Sequence, residues 1–227
     1  MFARVNNVPQ PRPSILSAFG SDGALAARLS SSWFEYKKDT EIYEEDEAAD
    51  YVYEVITGAV RSYKLLSDGR RQIGAFHLPG DIFGLENGSA HRFTAEAIVD
   101  TSVQLVRRFS LEAVAKQDAM VARNLLSMTT NKLRHAEDHM LLLGRKTALE
   151  RVAAFLLEMD SRLAAAGVML LPMARRDIAD YLGVTLETVS RALSLLHSKG
   201  VLDFVGNRQR HIVLLDRTQL ARFDAQN

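Results

Sequence analysis

The chain of 227 residues contains no cysteine. That excludes a disulfide framework, a thiolate zinc site, an iron–sulfur cluster and a thiol redox switch. It also has no uninterrupted apolar run near the roughly 20 residues needed to cross a bilayer, so no membrane span is expected. Proline is scarce, five in all, and three of them fall within Met1–Pro13, a segment without an apolar stretch. Such a segment is not a secretory signal and reads as a loose tail, residues 1–24. These absences fit a cytoplasmic protein. An excess of charge is missing too, since 28 Lys and Arg balance 28 Asp and Glu. What is present is 47% hydrophobic side chains, ample for a core, in a length that suits one large domain or two modest ones.

The zero balance hides a small asymmetry. Residues 1–140 carry 16 basic and 19 acidic side chains, a net of −3, while residues 141–227 carry 12 and 9, a net of +3. By itself this is weak support for a polyanion partner at the C-terminal end.

Patterning divides the rest. Leu25–Trp33 reads as a short helix. From Phe34 to Phe109 the period is two, as where Tyr51, Tyr53 and Val55 alternate with Val52, Glu54 and Ile56. Thr57-Gly58, Ser67-Asp68-Gly69 and Pro79-Gly80-Asp81 punctuate short strands, and a further run covers Ala95–Phe109. Many short strands at even spacing predict an antiparallel barrel or roll over residues 25–109.

At Ser110 the period changes. Ala115, Ala119, Ala122, Leu126, Thr129, Leu133, Ala136, Met140 and Leu143 recur at alternating steps of four and three. That is an a/d seam over about four heptads, predicting one helix over 110–143. Val114, Val121, Leu125 and Met128 mark a neighbouring apolar face. One face is expected to pack on the roll. The other, through Ala122, Leu126, Thr129, Leu133, Ala136, Met140 and Leu143, meets the same helix of a second subunit; the alternative is a helix buried within one chain. Gly144 reads as a hinge, followed by a helix from Lys146 to Ala166.

In residues 175–199 two short helical patterns flank Gly183-Val184. Ile178 and Leu182 form the apolar face of the first, with small Ala179 at a close crossing. Gly183 suits a left-handed helix end and Thr185 an N-cap. Val189, Leu193 and Leu196 form the buried stripe of the second. This is helix-turn-helix spacing. The opposite face presents Leu186, Glu187, Thr188, Ser190 and Arg191. An arginine can donate two hydrogen bonds to guanine, a carboxylate can accept from cytosine, and a hydroxyl can reach a base edge. Taken alone, Glu187 and Arg191 read equally as a surface i, i+4 ion pair. Val201–Val205 and Arg210–Leu215 read as strands joined at Gly206-Asn207, a wing whose Arg208 and Arg210, with Arg175 and Arg176, suit the phosphate backbone or are ordinary solvated arginines.

The run Asp177-Ile178-Ala179-Asp180-Tyr181-Leu182-Gly183, followed by Glu187-Thr188-Val189-Ser190-Arg191, resembles the CRP/FNR superfamily of bacterial transcription regulators, in its FNR/FixK branch. Pro79-Gly80-Asp81-Ile82-Phe83-Gly84 and the long helix extend the resemblance over nearly the whole chain. It implies an α+β fold: an N-terminal antiparallel β-roll like a cyclic-nucleotide-binding domain, a long dimerisation helix, and a C-terminal winged helix-turn-helix over 144–227. It implies that Glu187, Ser190 and Arg191 read a TTGA-type half-site in palindromic double-stranded DNA. It further implies an activator that works as a homodimer and recruits RNA polymerase.

Regulation departs from the family pattern. Cyclic-nucleotide-binding relatives carry a Glu and an Arg-Ser pair after the glycines; here Glu86 is followed by Ala90-His91-Arg92-Phe93, without that pair. No small-molecule effector and no cofactor are therefore expected, with a cyclic-nucleotide-gated regulator as the alternative. His135 and His139 stand at i, i+4, but Ala136 occupies the place of the zincin glutamate, so exposed helix residues rather than a metal site are expected. Glu44–Glu47 reads as a solvated acidic loop. A cupin-like enzyme would need His-x-His, whereas His77 and His91 stand on separate segments. No catalytic constellation is found.

Overall fold

The structure, a computed structural model, describes residues 31–163, 168–206 and 210–224. Leu25–Ser30 of the expected first helix lie outside them, and its end is instead part of a strand. That strand, β1 (Ser31–Tyr36), is followed by β2 (Glu41–Tyr43), β3 (Tyr51–Thr57), β4 (Val60–Leu65), β5 (Arg71–His77), β6 (Ile82–Phe83), β7 (Thr94–Ala97) and β8 (Thr101–Arg107). They form two four-stranded antiparallel sheets, ordered β1-β8-β3-β6 and β2-β7-β4-β5, which make the roll. Trp33 and Phe34 join β1 because its whole length pairs with β8, in register from Ser31 opposite Val106 to Tyr36 opposite Thr101.

The strand expected over 95–109 is two strands. The chain turns at Ile98–Asp100, where Thr101 Oγ1 accepts from Ala59 N at 3.1 Å and donates to Val99 O at 2.7 Å. Gly58 sits against this turn at φ +89°, and a Cβ there would lie 2.4 Å from Thr101 Oγ1 and 2.6 Å from the Asp100 carbonyl oxygen. Only glycine meets both demands.

The helical stretch also differs from the expectation of one helix over 110–143. It is split into α1 (Arg108–Ala115) and α2 (Ala119–Arg145). Asp118 has extended backbone angles and its carboxylate accepts from Met120 N at 2.8 Å and Val121 N at 3.3 Å. A short side chain that satisfies free N–H groups favours a fresh helix start over continuation. Ala115 consequently packs on the roll with Leu111, Val114 and Val121, against Val52, Ile82 and Val106; Leu125 and Met128 extend the same patch. Gly144 is not the hinge: α2 runs through it, and the turn falls at Lys146, whose backbone is extended.

The next helix, α3 (Ala148–Leu163), carries Val152, Ala153, Phe155, Leu156 and Met159 into the core. Residues 164–166 of its expected end lie outside the described ones. Strand β9 (Val168–Leu170), α4 (Arg175–Leu182), α5 (Leu186–Ser198), β10 (Leu202–Phe204), β11 (His211–Leu214) and α6 (Arg217–Asp224) complete the unit. β11 is central, with β10 on one side and β9 on the other. Neither β9 nor α6 was expected from sequence. The core of this unit, including Phe155, Leu156, Leu182, Val189 and Leu196, is continuous with Ile73, Phe76 and Leu78 of the roll. The helix-turn-helix is thus seated on the β4–β5 side of the roll.

Candidate nucleic-acid interface

Helix α4 ends at Gly183, which adopts φ +62°, and Val184 N donates back to Ala179 O at 3.1 Å. Two residues later Thr185 starts α5, its hydroxyl accepting from Thr188 N at 3.2 Å. A left-handed stop and a hydroxyl start within three residues fix the angle between the helices. Ile178, Ala179 and Leu182 of α4 pack with Val189, Ala192, Leu193 and Leu196 of α5, all buried. Once that stripe is inside, the opposite side of α5 has nowhere to go but solvent.

That outer surface holds Thr185, Leu186, Glu187 and Arg191 exposed, with Thr188 and Ser190 half-buried beside them. Leu186 is a large hydrophobe left 39% exposed at the tip. The Glu187 carboxyl is held below the usual carboxylate range, first by its own backbone N–H and then by the Thr185 hydroxyl, with Arg191 and Arg176 contributing at longer range. It is an anion tied to the helix start, where the macrodipole favours it. Among the described residues no salt bridge joins Glu187 to Arg191. Arg191 is thus exposed on the helix without an ion pair to its i, i+4 neighbour.

The other basic residues divide. Arg176 is exposed at the start of α4. Arg175 is half-buried, lies over the ring of Phe204 in β10 at 5.7 Å and reaches Ser190 Oγ at 3.4 Å, so it braces α5 against the wing. Arg210 is half-buried, and one guanidinium nitrogen lies 3.5 Å from the Pro172 carbonyl oxygen. Arg208 lies outside the described residues. Sequence reasoning missed Phe204; the alternation of Val201–Val205 placed it in a strand but gave no sign of what would cover it.

On α2, the seam residues Ala122, Leu126, Thr129, Leu133, Ala136 and Met140 are exposed, and Leu143 is half-buried. Leu126, Leu133 and Met140 are left 67%, 59% and 66% exposed. Large apolar side chains repeating along one face of a helix of about 40 Å form a patch of the kind that binds a partner.

His135 and His139, expected as exposed helix residues, both lie against α4. His139 Nε2 donates to the Tyr181 carbonyl oxygen at 3.0 Å and His135 Nε2 lies 3.5 Å from the Tyr181 hydroxyl. Among the described residues no group of three or more His, Asp and Glu could hold a metal ion.

Inside the roll, the space between the sheets is filled by rings. His91 stacks on Tyr43 at 3.5 Å, Tyr53 on Phe83 at 5.1 Å and His77 on Phe83 at 4.9 Å. Glu86 has an almost buried side chain and is paired with the exposed Arg92 at 2.8 Å.

Comparison with known proteins agrees with both halves. Residues 33–118 match the family model of the cyclic nucleotide-binding domain, and residues 150–223 that of the Crp-like helix-turn-helix domain. The nitrogen fixation regulation protein FixK of Azorhizobium caulinodans is 43% identical over 195 residues, covering 84% of this chain and 78% of its own length. The transcriptional activator protein FnrL of Cereibacter sphaeroides is 37% identical, covering 75% of this chain and 71% of its own. The structure of FixK2 from Bradyrhizobium japonicum superimposes with a TM-score of 0.84 at 69% identity, over 88% of this chain and 100% of that one.

Proposed function

This chain belongs to the CRP/FNR family of transcription regulators, as a FixK-like DNA-binding member, and we propose that it reads a TTGA-type palindrome as a homodimer without a small-molecule effector. The observation that carries the reading is the exposed face of α5. Glu187 stands exposed in the first turn, Arg191 is exposed one turn further on with no salt bridge to it, and Ser190 lies half-buried beside them. Arg191 donates to guanine O6 and N7, Glu187 accepts from cytosine N4, and Leu186 supplies apolar contact to a thymine methyl. Thr185, Thr188, Arg175, Arg176, Arg208 and Arg210 contribute phosphate contacts or brace the helix.

Dimerisation runs through the exposed seam from Ala122 to Leu143, which sets the two α5 helices about 34 Å apart, one turn of B-DNA. In this reading the chain divides into a tail (1–24), a roll (25–109), a dimerisation helix and a DNA-binding unit (144–227), except that the dimerisation helix proper is Ala119–Arg145 and so runs past Gly144 into the start of the last unit. The roll is a folding platform rather than a sensor, because Arg92 neutralises Glu86 and aromatic rings fill the interior. The protein works in the cytoplasm as an activator, with RNA polymerase as its further partner, and carries no catalytic residue.

Selection of bound sites from random double-stranded DNA, repeated with and without cyclic AMP, tests this. An inverted TTGA repeat enriched equally in both supports the reading. Enrichment only with the nucleotide would make the chain a gated regulator, and no enrichment would overturn DNA recognition.

A further inference from the structure

Helix α4 has a second face that DNA reading leaves unused. Asp177, Asp180 and Tyr181 share one side of it, one turn apart, and face the roll. There Asp177 Oδ1 accepts from Arg61 Nη1 at 3.0 Å and from Arg71 Nη2 at 2.6 Å. Asp180 Oδ2 accepts from Arg71 Nε at 3.0 Å and Nη2 at 2.8 Å. Arg61 also grips Glu96 of β7 at 2.5 Å, and Arg71 lies over the Tyr63 ring at 5.4 Å. The Asp177 side chain is only 6% exposed, Arg61 10% and Glu96 11%. Asp177 does double duty, since its other oxygen accepts from Ala174 N at 3.0 Å and so caps α4.

A buried ionic network of this kind adds little stability over an apolar contact of the same size, because desolvation offsets attraction. What it adds is direction. A planar guanidinium meets carboxylate oxygens in few orientations, whereas apolar surfaces slide. The mechanical chain is complete: α5 is packed on α4, α4 is clamped to β4 and β5, and the roll is packed on α1 and α2, the helix that bears the dimer seam.

We propose that Arg61 and Arg71 are positioning residues for operator recognition, clamping Asp177 and Asp180 so that the two α5 helices of a dimer keep one spacing without an effector. This rests on the DNA reading of α5 given above. The clamp acts on the relation between two half-sites and not on the contacts within one. A dimer held at one spacing gains from its second half-site an effective concentration that a loosely hinged dimer loses.

The experiment uses the full-length dimer and three kinds of duplex: a palindrome at its best half-site spacing, the same palindrome with two base pairs inserted or removed, and a single half-site. The parent binds the first far more tightly than the others. Arg71→Met loses at least tenfold on the first, changes by less than about twofold on the single half-site, and shows a flattened spacing preference. Arg71→Lys, which keeps charge without the fork, falls between. Should Arg71→Met fail to fold, by circular dichroism and dimer mass, Asp180→Asn carries the same test, since Asp180 is partly exposed and does not cap α4. A variant that keeps the parent's spacing preference overturns the proposal, as does a parallel loss on palindrome and half-site. A parent that prefers no spacing and no half-site overturns the DNA reading itself.

Discussion

The ring of His139 lies flat on that of Tyr181, centroids 4.1 Å apart and planes 13° from parallel. The carbonyl oxygen of Tyr181 can only accept, so His139 Nε2 carries a hydrogen there. Burial lowers the His139 pKa, more than the hydrogen bond to Tyr181 raises it. His77 is pushed well down, chiefly by burial, with Lys132 and Arg162 adding to it, and His91 is lowered chiefly by burial against the opposing pull of Glu86. For each, the unfolded chain takes up a proton at a higher pH than the folded one. Their contribution is fully present above the unfolded value near 6.5 and is lost as pH falls through the folded values. The urea midpoint should therefore drop between pH 7.5 and pH 5.5, with an unchanged slope. His139→Gln should flatten that dependence; a midpoint equal at both pH values would refute the assignment.

At the other side of the same unit, Arg191→Ala should weaken operator binding by about 1–3 kcal/mol and relax discrimination at one base pair per half-site. The exposed position of Arg191 means that thermal stability should barely change. Fluorescence anisotropy on a panel of single-base variants measures both. Equal affinity and equal selectivity in the variant would remove Arg191 from base reading.

How much of this was visible before the structure depends on the range of the interaction. Gly183, Thr185 and the stripe of Val189, Leu193 and Leu196 act within one or two helical turns, and local chemistry was enough to assign them. The capping carboxylate of Asp118 was equally local, yet an unbroken heptad pattern passed across it and hid the break between α1 and α2. Strand β9 is three residues long and exists because β11 pairs with it, from His211 opposite Leu170 to Val213 opposite Val168, which no pattern in Val168–Leu170 announces. The clamp of Arg61 and Arg71 on Asp177 and Asp180 spans more than 100 positions. In sequence those four are ordinary charged residues in two strands and a helix.

The seam on α2 makes a quantitative demand. Leu126 and Leu133 are more than half exposed, and burying one leucine is worth roughly 1.5–3 kcal/mol. In a two-fold dimer each substitution counts twice. Leu133→Glu should raise the dimer dissociation constant at least about 100-fold, leaving monomer at micromolar concentration in sedimentation equilibrium. An unchanged mass would send the seam to some other partner.

Backbone strain offers a cleaner test of the roll. Gly58→Ala puts a methyl group 2.4 Å from Thr101 Oγ1 and 2.6 Å from a backbone oxygen, at a φ of +89°. The side chain of Thr101 is held by Ala59 N and Val99 O, and the carbonyl cannot retreat without moving the turn. A loss of about 2 kcal/mol or more in chemical denaturation is expected, against about 1 kcal/mol at Gly69, where φ is also positive but the Cβ meets open space, so that only the backbone cost remains.

The roll should also fail to bind a cyclic nucleotide, which needs an arginine with hydroxyl or backbone donors for its phosphodiester and a cavity for its base. Arg92 is the cation nearest in sequence to Glu86, and its Nε already donates to that carboxylate at 2.8 Å. The side chain is 74% exposed, pointing to solvent. His91, the residue before Arg92, is buried and stacked at 3.5 Å on Tyr43, so a base entering between the sheets there has to open that stack. Binding thus requires breaking an ion pair and unpacking two rings before a contact is gained. Isothermal titration with cyclic AMP should give no saturable heat up to millimolar concentration, and the anisotropy curve on operator DNA should be the same with and without it. A saturable heat would show that the Tyr43–His91 stack opens, and would restore to the roll the role of a sensor.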